Sequence, residues 1–212
     1  MTKIIAIDGP SASGKTEIAK KLSKKLNAPL LISGKLYRAV ALEILNKKIN
    51  LQNKKKILEC VDDINESSLN SKKLYSSKID NIASQISSIK NLRSRLLKYQ
   101  RNFPKKYLGS KKYVIIEGRD IGTVIFPRAK VKFFMWASSK IRAKRRYDQV
   151  KKTSKKAKLL SIHKEIDKRD LRDMSRKIAP MIPAADSYLI DNTNYDIPQT
   201  FNAILKILNE KN

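Results

Sequence analysis

The chain has 212 residues, 41% of them hydrophobic, with 47 Lys or Arg against 19 Asp or Glu and a formal charge of +28. That length supports one buried core, or a core domain with small insertions, and the longest apolar runs, such as 4–7 and 114–116, are far too short to cross a bilayer. Cys60 is the single cysteine, which excludes an internal disulfide and fits a reducing cytoplasm; no signal-peptide pattern precedes the first strand-like segment.

In chain order, strands are expected at 4–8, 29–32, 113–117, 131–136 and 187–191. Helical patterns fall at 14–26, 35–45, 85–101, 139–150, 162–176 and 198–208. The alternation predicts an α/β fold, a parallel five-stranded sheet flanked by helices on both faces. Ligands on such sheets gather beyond the C-terminal strand ends, where Asp8, Ser33, Glu117 and Asp191 fall. Residues 46–81 are polar, rich in Lys and Ser and lack a clear strand, and are read as part of an insertion over the site. Cys60 sits among Ile57, Leu58 and Val61, which suits a buried structural thiol. No internal repeat or Gly/Ser linker is visible.

Directly after Ile4-Ile5-Ala6-Ile7 comes Gly9-Pro10-Ser11-Ala12-Ser13-Gly14-Lys15-Thr16, spaced as the phosphate-binding loop G-x-x-x-x-G-K-[ST]. Ile18, Leu22 and Leu26 then recur at helical spacing, so a strand enters the loop and a helix leaves it. Glycines let backbone N–H groups close around phosphate oxygens, and the helix N-terminus adds partial positive charge. These eight residues predict a nucleoside triphosphate site, with Lys15 at the β- and γ-phosphates and the Thr16 hydroxyl facing Mg²⁺.

The excess of cations suits anionic substrates and raises nucleic acid as a partner. Yet the lysines are scattered from Lys3 to Lys211. The richest run, Lys151-Lys152-Thr153-Ser154-Lys155-Lys156-Ala157-Lys158, reads more simply as a solvated helix or loop. Aromatics make up 7%, none lies in that run, and no RNP-like motif is found, so no specific nucleic-acid partner and no membrane partner is expected.

Arginines cluster in short stretches: Ser33-Gly34-Lys35-Leu36-Tyr37-Arg38, Glu117-Gly118-Arg119-Asp120, and Arg169-Asp170-Leu171-Arg172-Asp173-Met174-Ser175-Arg176. In the last, Arg169, Asp173 and Arg176 are spaced i, i+4, i+7 and project from one helical face, with Arg172 beside them. Guanidinium groups so gathered repel unless negative charge sits between them, and phosphoryl transfer supplies such charge. A surface helix with Arg–Asp pairs worth about 0.3–0.5 kcal/mol each is the plainer alternative.

The chain resembles the bacterial cytidylate kinases, nucleoside monophosphate kinases that move the γ-phosphate of ATP to CMP or dCMP. The resemblance rests on the phosphate loop, Ser33-Gly34 with Tyr37-Arg38, Ala83-Ser84-Gln85 with Leu92-Arg93, Gly118-Arg119-Asp120-Ile121-Gly122-Thr123-Val124-Ile125-Phe126-Pro127, Arg169-Asp170 with Arg172-Asp173, and Ala179-Pro180 with Pro183-Ala184-Ala185-Asp186. Gly118 to Pro127 and Arg169 to Asp186 are its most specific parts. It implies a P-loop kinase unit with a core at 1–34, 105–151 and 179–212, a nucleoside-monophosphate-binding insertion at 35–104 and a helical lid at 152–178.

By the same resemblance, Ser33, Arg93 and Asp120 read cytosine, the carboxylate accepting from the exocyclic amine that uracil lacks. Tyr37 belongs to the same acceptor region, and Arg38, Arg119 and Arg176 hold the acceptor phosphate. Arg169 and Asp173, the latter supported by Ser84, contact the pentose. Lys15, Arg119, Arg169 and Arg172 meet the charge in transit. Asn192-Thr193-Asn194 resembles the loop beside adenine. The family implies Mg²⁺ bound with ATP, a monomer, in-line transfer without a covalent intermediate, and a lid that expels water.

Four departures stand out. Thr16-Glu17 follows Lys15 where the family has Gly-Thr or Ser-Thr, Ile32 replaces an Asp, Glu117 replaces an Asp, and the insertion is short. Two other classes compete: a P-loop kinase for a different small acceptor, and a basic nucleotide-dependent module for RNA or DNA. His163 is expected to be solvated and not catalytic.

Overall fold

A computed structural model describes residues 2–152 and 157–211, excepting the Glu66 side chain. Its strands are β1 (Lys3–Asp8), β2 (Leu30–Ile32), β3 (Tyr113–Glu117), β4 (Val131–Trp136) and β5 (Tyr188–Asp191). They form one parallel sheet in the order β2-β3-β1-β4-β5. The central strand β1 pairs Ile5 with both Ile115 and Val131, and Ile5, Ala6 and Ile7 are fully buried. A strand covered on both faces needs a continuous apolar run and not an alternating one.

The helices are α1 (Lys15–Leu26), α2 (Ser33–Asn46), α3 (Lys54–Glu59), α4 (Glu66–Asn70), α5 (Ser77–Ile86), α6 (Lys90–Asn102), α7 (Ser139–Val150), α8 (Leu159–Ser175) and α9 (Ile197–Glu210). Two compact units result. The first comprises residues through Leu30 and from Tyr107 onward; the second is Leu31–Lys106. Each has its own core. In the first, Ile5, Ile7, Ile115, Phe133 and Met135 of the sheet pack with Ile18 and Leu22 of α1 and Ile204 of α9. In the second, Leu36, Val40 and Ile44 of α2 pack with Ile57, Cys60, Ile79, Ile82, Leu92 and Leu96. Full burial of such a side chain is worth about 1.5–3 kcal/mol.

Two helix expectations need correction, and the strandless stretch at 46–81 gains definition. The helix expected over 85–101 is two helices, because the Ser87 and Ser88 hydroxyls donate to the Ser84 and Gln85 carbonyls, each at 2.8 Å, and close the end of α5. Residues 46–81 hold α3, α4 and a 3₁₀ turn at Lys72–Leu74, with Ile57, Cys60 and Leu74 fully buried. Helix α8 starts at Leu159 and ends at Ser175, so Arg176 lies beyond it in extended backbone. The lysine run at 151–158 falls partly outside the described residues.

Candidate active site

The site in the first unit begins where β1 ends. Gly9 has φ +142°, and a Cβ there would lie 2.1 Å from the Met135 carbonyl oxygen, so only glycine lets the loop cross β4. Gly14, at φ +87°, turns the chain into α1. Lys15 is buried; its Nζ donates to the Pro10 carbonyl at 2.8 Å and lies 3.6 Å from Glu117. The Thr16 hydroxyl donates to Glu117 at 3.2 Å, so the longer carboxylate at this position spans the distance to the loop. Ser13 is fully buried, and its hydroxyl has no hydrogen-bond partner among the described residues. A buried donor left unpaired inside a phosphate loop suits a ligand that brings acceptor oxygens.

At the end of β3 the chain turns through Gly118-Arg119-Asp120 into a π-turn at Ile121–Ile125. The N–H groups of Ile121 and Gly122 donate to the two Asp8 oxygens at 2.8 and 2.7 Å. Burial nonetheless pushes the Asp8 carboxyl up to about 7, with those donors pulling down and Asp120 and Glu117 pushing further up.

Asp173 organises the cations. Arg119 Nε donates to it at 3.2 Å, Arg169 lies 3.7 Å away and Arg176 3.9 Å away. Arg176 also lies 3.6 Å from Asp120, and Arg119 donates to the Gly9 carbonyl. Arg176 reaches this group from beyond α8 because its Nε donates to the Ala179 carbonyl and the Met181 N–H returns to the Asp173 carbonyl at 2.8 Å. Thus Asp173 and Asp120 interleave Arg119, Arg169 and Arg176, leaving one positive charge in excess within this group. Arg172, half-buried, occupies the same turn of α8.

The second unit gathers its own subset of expected residues. Ser33 and Ser84 are buried, and Ser33 accepts from Gln100. Arg93 lies over the Tyr37 ring at 5.8 Å and donates to the Ser87 carbonyl at 3.1 Å. Arg38 donates to Asp80 at 2.7 Å and covers Tyr75 at 5.3 Å. Ile32 stands at the N-cap of α2 and offers it no side-chain hydrogen bond.

The cytidylate kinase family matches residues 5–210 of this sequence. The chain belongs to that family. It is 38% identical over 205 residues to the cytidylate kinase of Bartonella henselae, covering 97% of this chain and 94% of that protein. The cytidylate kinase of Aquifex aeolicus is 38% identical over 218 residues, covering 98% of this chain and 96% of the relative. A solved sugar kinase from Janibacter sp. shares the fold, with a TM-score of 0.53 over 99% of this chain and 95% of its own, at 13% identity. Members of the cytidylate kinase family are phosphotransferases, and so is this chain.

Several groups in each unit of this cytidylate kinase escape sequence reasoning. Gln100, Asp80 and Tyr75 lie in polar stretches with no motif of their own. Arg142 sits within a run of cations, where nothing marks it as the one that is 1% exposed. Asn192 was expected beside adenine; its amide donates to the Ser13 carbonyl at 2.9 Å, and Arg145 donates to its side chain at 3.2 Å and its carbonyl at 2.7 Å. His163 keeps a partly exposed side chain, 3.0 Å from Ser139 Oγ and 3.5 Å from Asp167.

Proposed function

We propose that this chain transfers the γ-phosphate of ATP to CMP and dCMP, giving ADP with CDP or dCDP, by direct in-line displacement. The observation that carries the reading is the set of arginines around Asp173, drawn from β3's turn and from α8 and its C-terminal end, with Arg119 also bonded to the phosphate loop. In-line transfer requires two polyanions held end to end and little covalent chemistry, and fixed cations supply most of that. Gly9 to Thr16 would bind the ATP phosphates, and Lys15, Arg119, Arg169 and Arg172 would meet the moving charge. Ser33, Arg93 and Asp120 would read the base, and Arg38, Arg119 and Arg176 the acceptor phosphate. Tyr37 and Ser84 would complete the acceptor side, with Arg169 and Asp173 on the pentose.

Mg²⁺ fits the donor set. Among the described residues no group of three His, Cys, Asp or Glu could hold a metal alone. Mg²⁺ commonly takes one or two protein oxygens plus substrate phosphates, and Thr16, with Glu117 bonded to it, offers hard oxygen. Bound there, the ion would neutralise phosphate charge. We further propose a core at 1–34, 105–151 and 179–212, an acceptor-binding region at 35–104, a lid at 152–178 and a cytoplasmic monomer. No described helix is long and apolar enough to cross a membrane.

Coupled measurement of ADP release with CMP, dCMP, UMP, AMP and GMP tests the reading. CMP and dCMP are expected to dominate. UMP turned over as well as CMP removes the role given to Asp120 and favours a broader nucleotide kinase.

A further inference from the structure

Four carbonyls of the phosphate loop are engaged by side chains of the first unit. Gly9 accepts from Arg119, Pro10 from Lys15 at 2.8 Å, Ser11 from Arg142 at 3.2 Å and Ser13 from Asn192 at 2.9 Å. In a trans peptide the carbonyl and the following N–H point in opposite directions, and the structure has no cis peptide among its described bonds. Holding the carbonyls of Pro10, Ser11 and Ser13 therefore turns the N–H groups of Ser11, Ala12 and Gly14 to the opposite side. Ala12 adopts φ +57°, a left-handed conformation that a residue with a Cβ keeps only when its surroundings impose it.

Among the described residues Arg142 is the largest side chain sealed in the interior, at 1% exposure. Its Nε donates to the Ala137 carbonyl at 2.7 Å, Nη1 to Ser11, and Nη2 lies 2.6 Å from Asp170 Oδ2; Trp136 stacks 5.6 Å from the guanidinium. A guanidinium places its donors on three separate nitrogens in a fixed plane, so one side chain reaches these three separated acceptors. The other Asp170 oxygen is buried with no hydrogen-bond partner among the described residues. A buried ion pair left partly unsatisfied is a weak stabiliser compared with apolar packing, which points to positioning as its use.

We propose that Arg142 is a positioning residue for the reaction. Through the Ser11 carbonyl it aims the Ala12 N–H at the donor phosphates. Through Asp170 it fixes the turn of α8 that carries Arg169 and Asp173. One side chain thus sets the donor cradle and the cations of phosphate transfer together. This inference rests on the proposed phosphate transfer for its kinetic part, and on the phosphate loop alone for its binding part.

The test uses the full chain with Arg142→Lys, Arg142→Met and Asp170→Asn, each first checked for folding by circular dichroism and melting. Calorimetry with a non-hydrolysable ATP analogue and Mg²⁺, without acceptor, reads the donor cradle. Steady-state assays with CMP read kcat and KM. Both Arg142 variants should bind the analogue about tenfold more weakly, since one aimed backbone donor is lost. Their kcat should fall about 100-fold, the scale of a small misplacement of reacting groups, with KM for CMP within about twofold. Asp170→Asn should leave analogue binding within about twofold and lower kcat about tenfold, because only the α8 link is cut.

Analogue binding by Arg142→Lys and Arg142→Met at the level of the unsubstituted chain overturns the assignment. So does an Asp170→Asn that weakens analogue binding as much as the Arg142 variants do, since a merely structural role would move both alike. If neither Arg142 variant folds, Asp170→Asn decides, and an unchanged kcat sinks the proposal. An unsubstituted chain that binds the analogue but leaves CMP untouched fails the proposed function instead, while the calorimetric arm still judges Arg142.

Discussion

Asp173 accepts a hydrogen bond from Arg119 at 3.2 Å, across 54 positions of sequence, and so joins the turn after β3 to helix α8. Both partners are largely buried, and two more arginines lie within 3.9 Å of the same carboxylate. Removing this anion leaves more buried positive charge than Asp120 can offset, so Asp173→Ala should cost about 3–5 kcal/mol in unfolding experiments without ligand. Bound nucleotide brings phosphate charge to these arginines. Saturating nucleotide should therefore raise the melting temperature of the variant more than that of the unsubstituted chain, and equal shifts would contradict this.

Thr16, whose hydroxyl donates to Glu117, is the residue proposed to meet Mg²⁺. Thr16→Val keeps the shape and removes the hydroxyl. Its turnover should need about tenfold more Mg²⁺ for half-maximal rate, the usual scale for a metal-site contact. Chelation should silence both proteins. An unchanged Mg²⁺ requirement in Thr16→Val would take Thr16 out of that role.

Asp8 gives a pH dependence whose sign is fixed. Its carboxyl is raised from 3.8 to about 7 in the folded chain, chiefly by burial. Between those values the folded state holds a proton that the unfolded state has released, so this group's contribution to stability falls as pH rises. The slope is about 1.4 kcal/mol per pH unit at most for one group. Asp8→Asn removes it. The stability of the parent chain minus that of Asp8→Asn, from denaturant titrations at several pH values across this window, should decline with pH; a flat difference would refute the shifted carboxyl.

Gly9 and Gly34 make a matched pair. A methyl on Gly9 would lie 2.1 Å from the Met135 carbonyl at a φ of +142°, whereas nothing lies within 4 Å of a Cβ on Gly34. Gly9→Ala should destabilise by about 3 kcal/mol or more. Gly34→Ala, in the first turn of α2, should stabilise by about 0.5–1 kcal/mol. Chemical unfolding of both separates the outcomes.

What was legible in the sequence follows from how local each signal is. The phosphate loop could be read because glycine positions, the entering apolar run and the leaving helical stripe all fall within 26 residues. β1, β3 and β4 could be read because burial on both faces demands unbroken apolar runs. The break between α5 and α6 could not, since Ser87 and Ser88 end a helix through hydroxyl bonds that composition does not announce. The spacing of Arg169, Asp173 and Arg176 suggested one helical face, but Arg176 joins the group from extended backbone held by Ala179. Gln100 meets Ser33 across 67 positions, and Arg142 meets Ser11 across 131, separations over which no periodicity reports.

Cys60 lies fully buried in the second unit's core, and burial also raises its thiol. Since it is the only cysteine of the chain, the native protein is close to blank toward thiol-reactive dyes and spin labels. One cysteine placed on the outer face of α8 and another on α6 would then carry a donor–acceptor fluorophore pair without first stripping the background. Distances between the two units, with and without each nucleotide, become directly readable in solution.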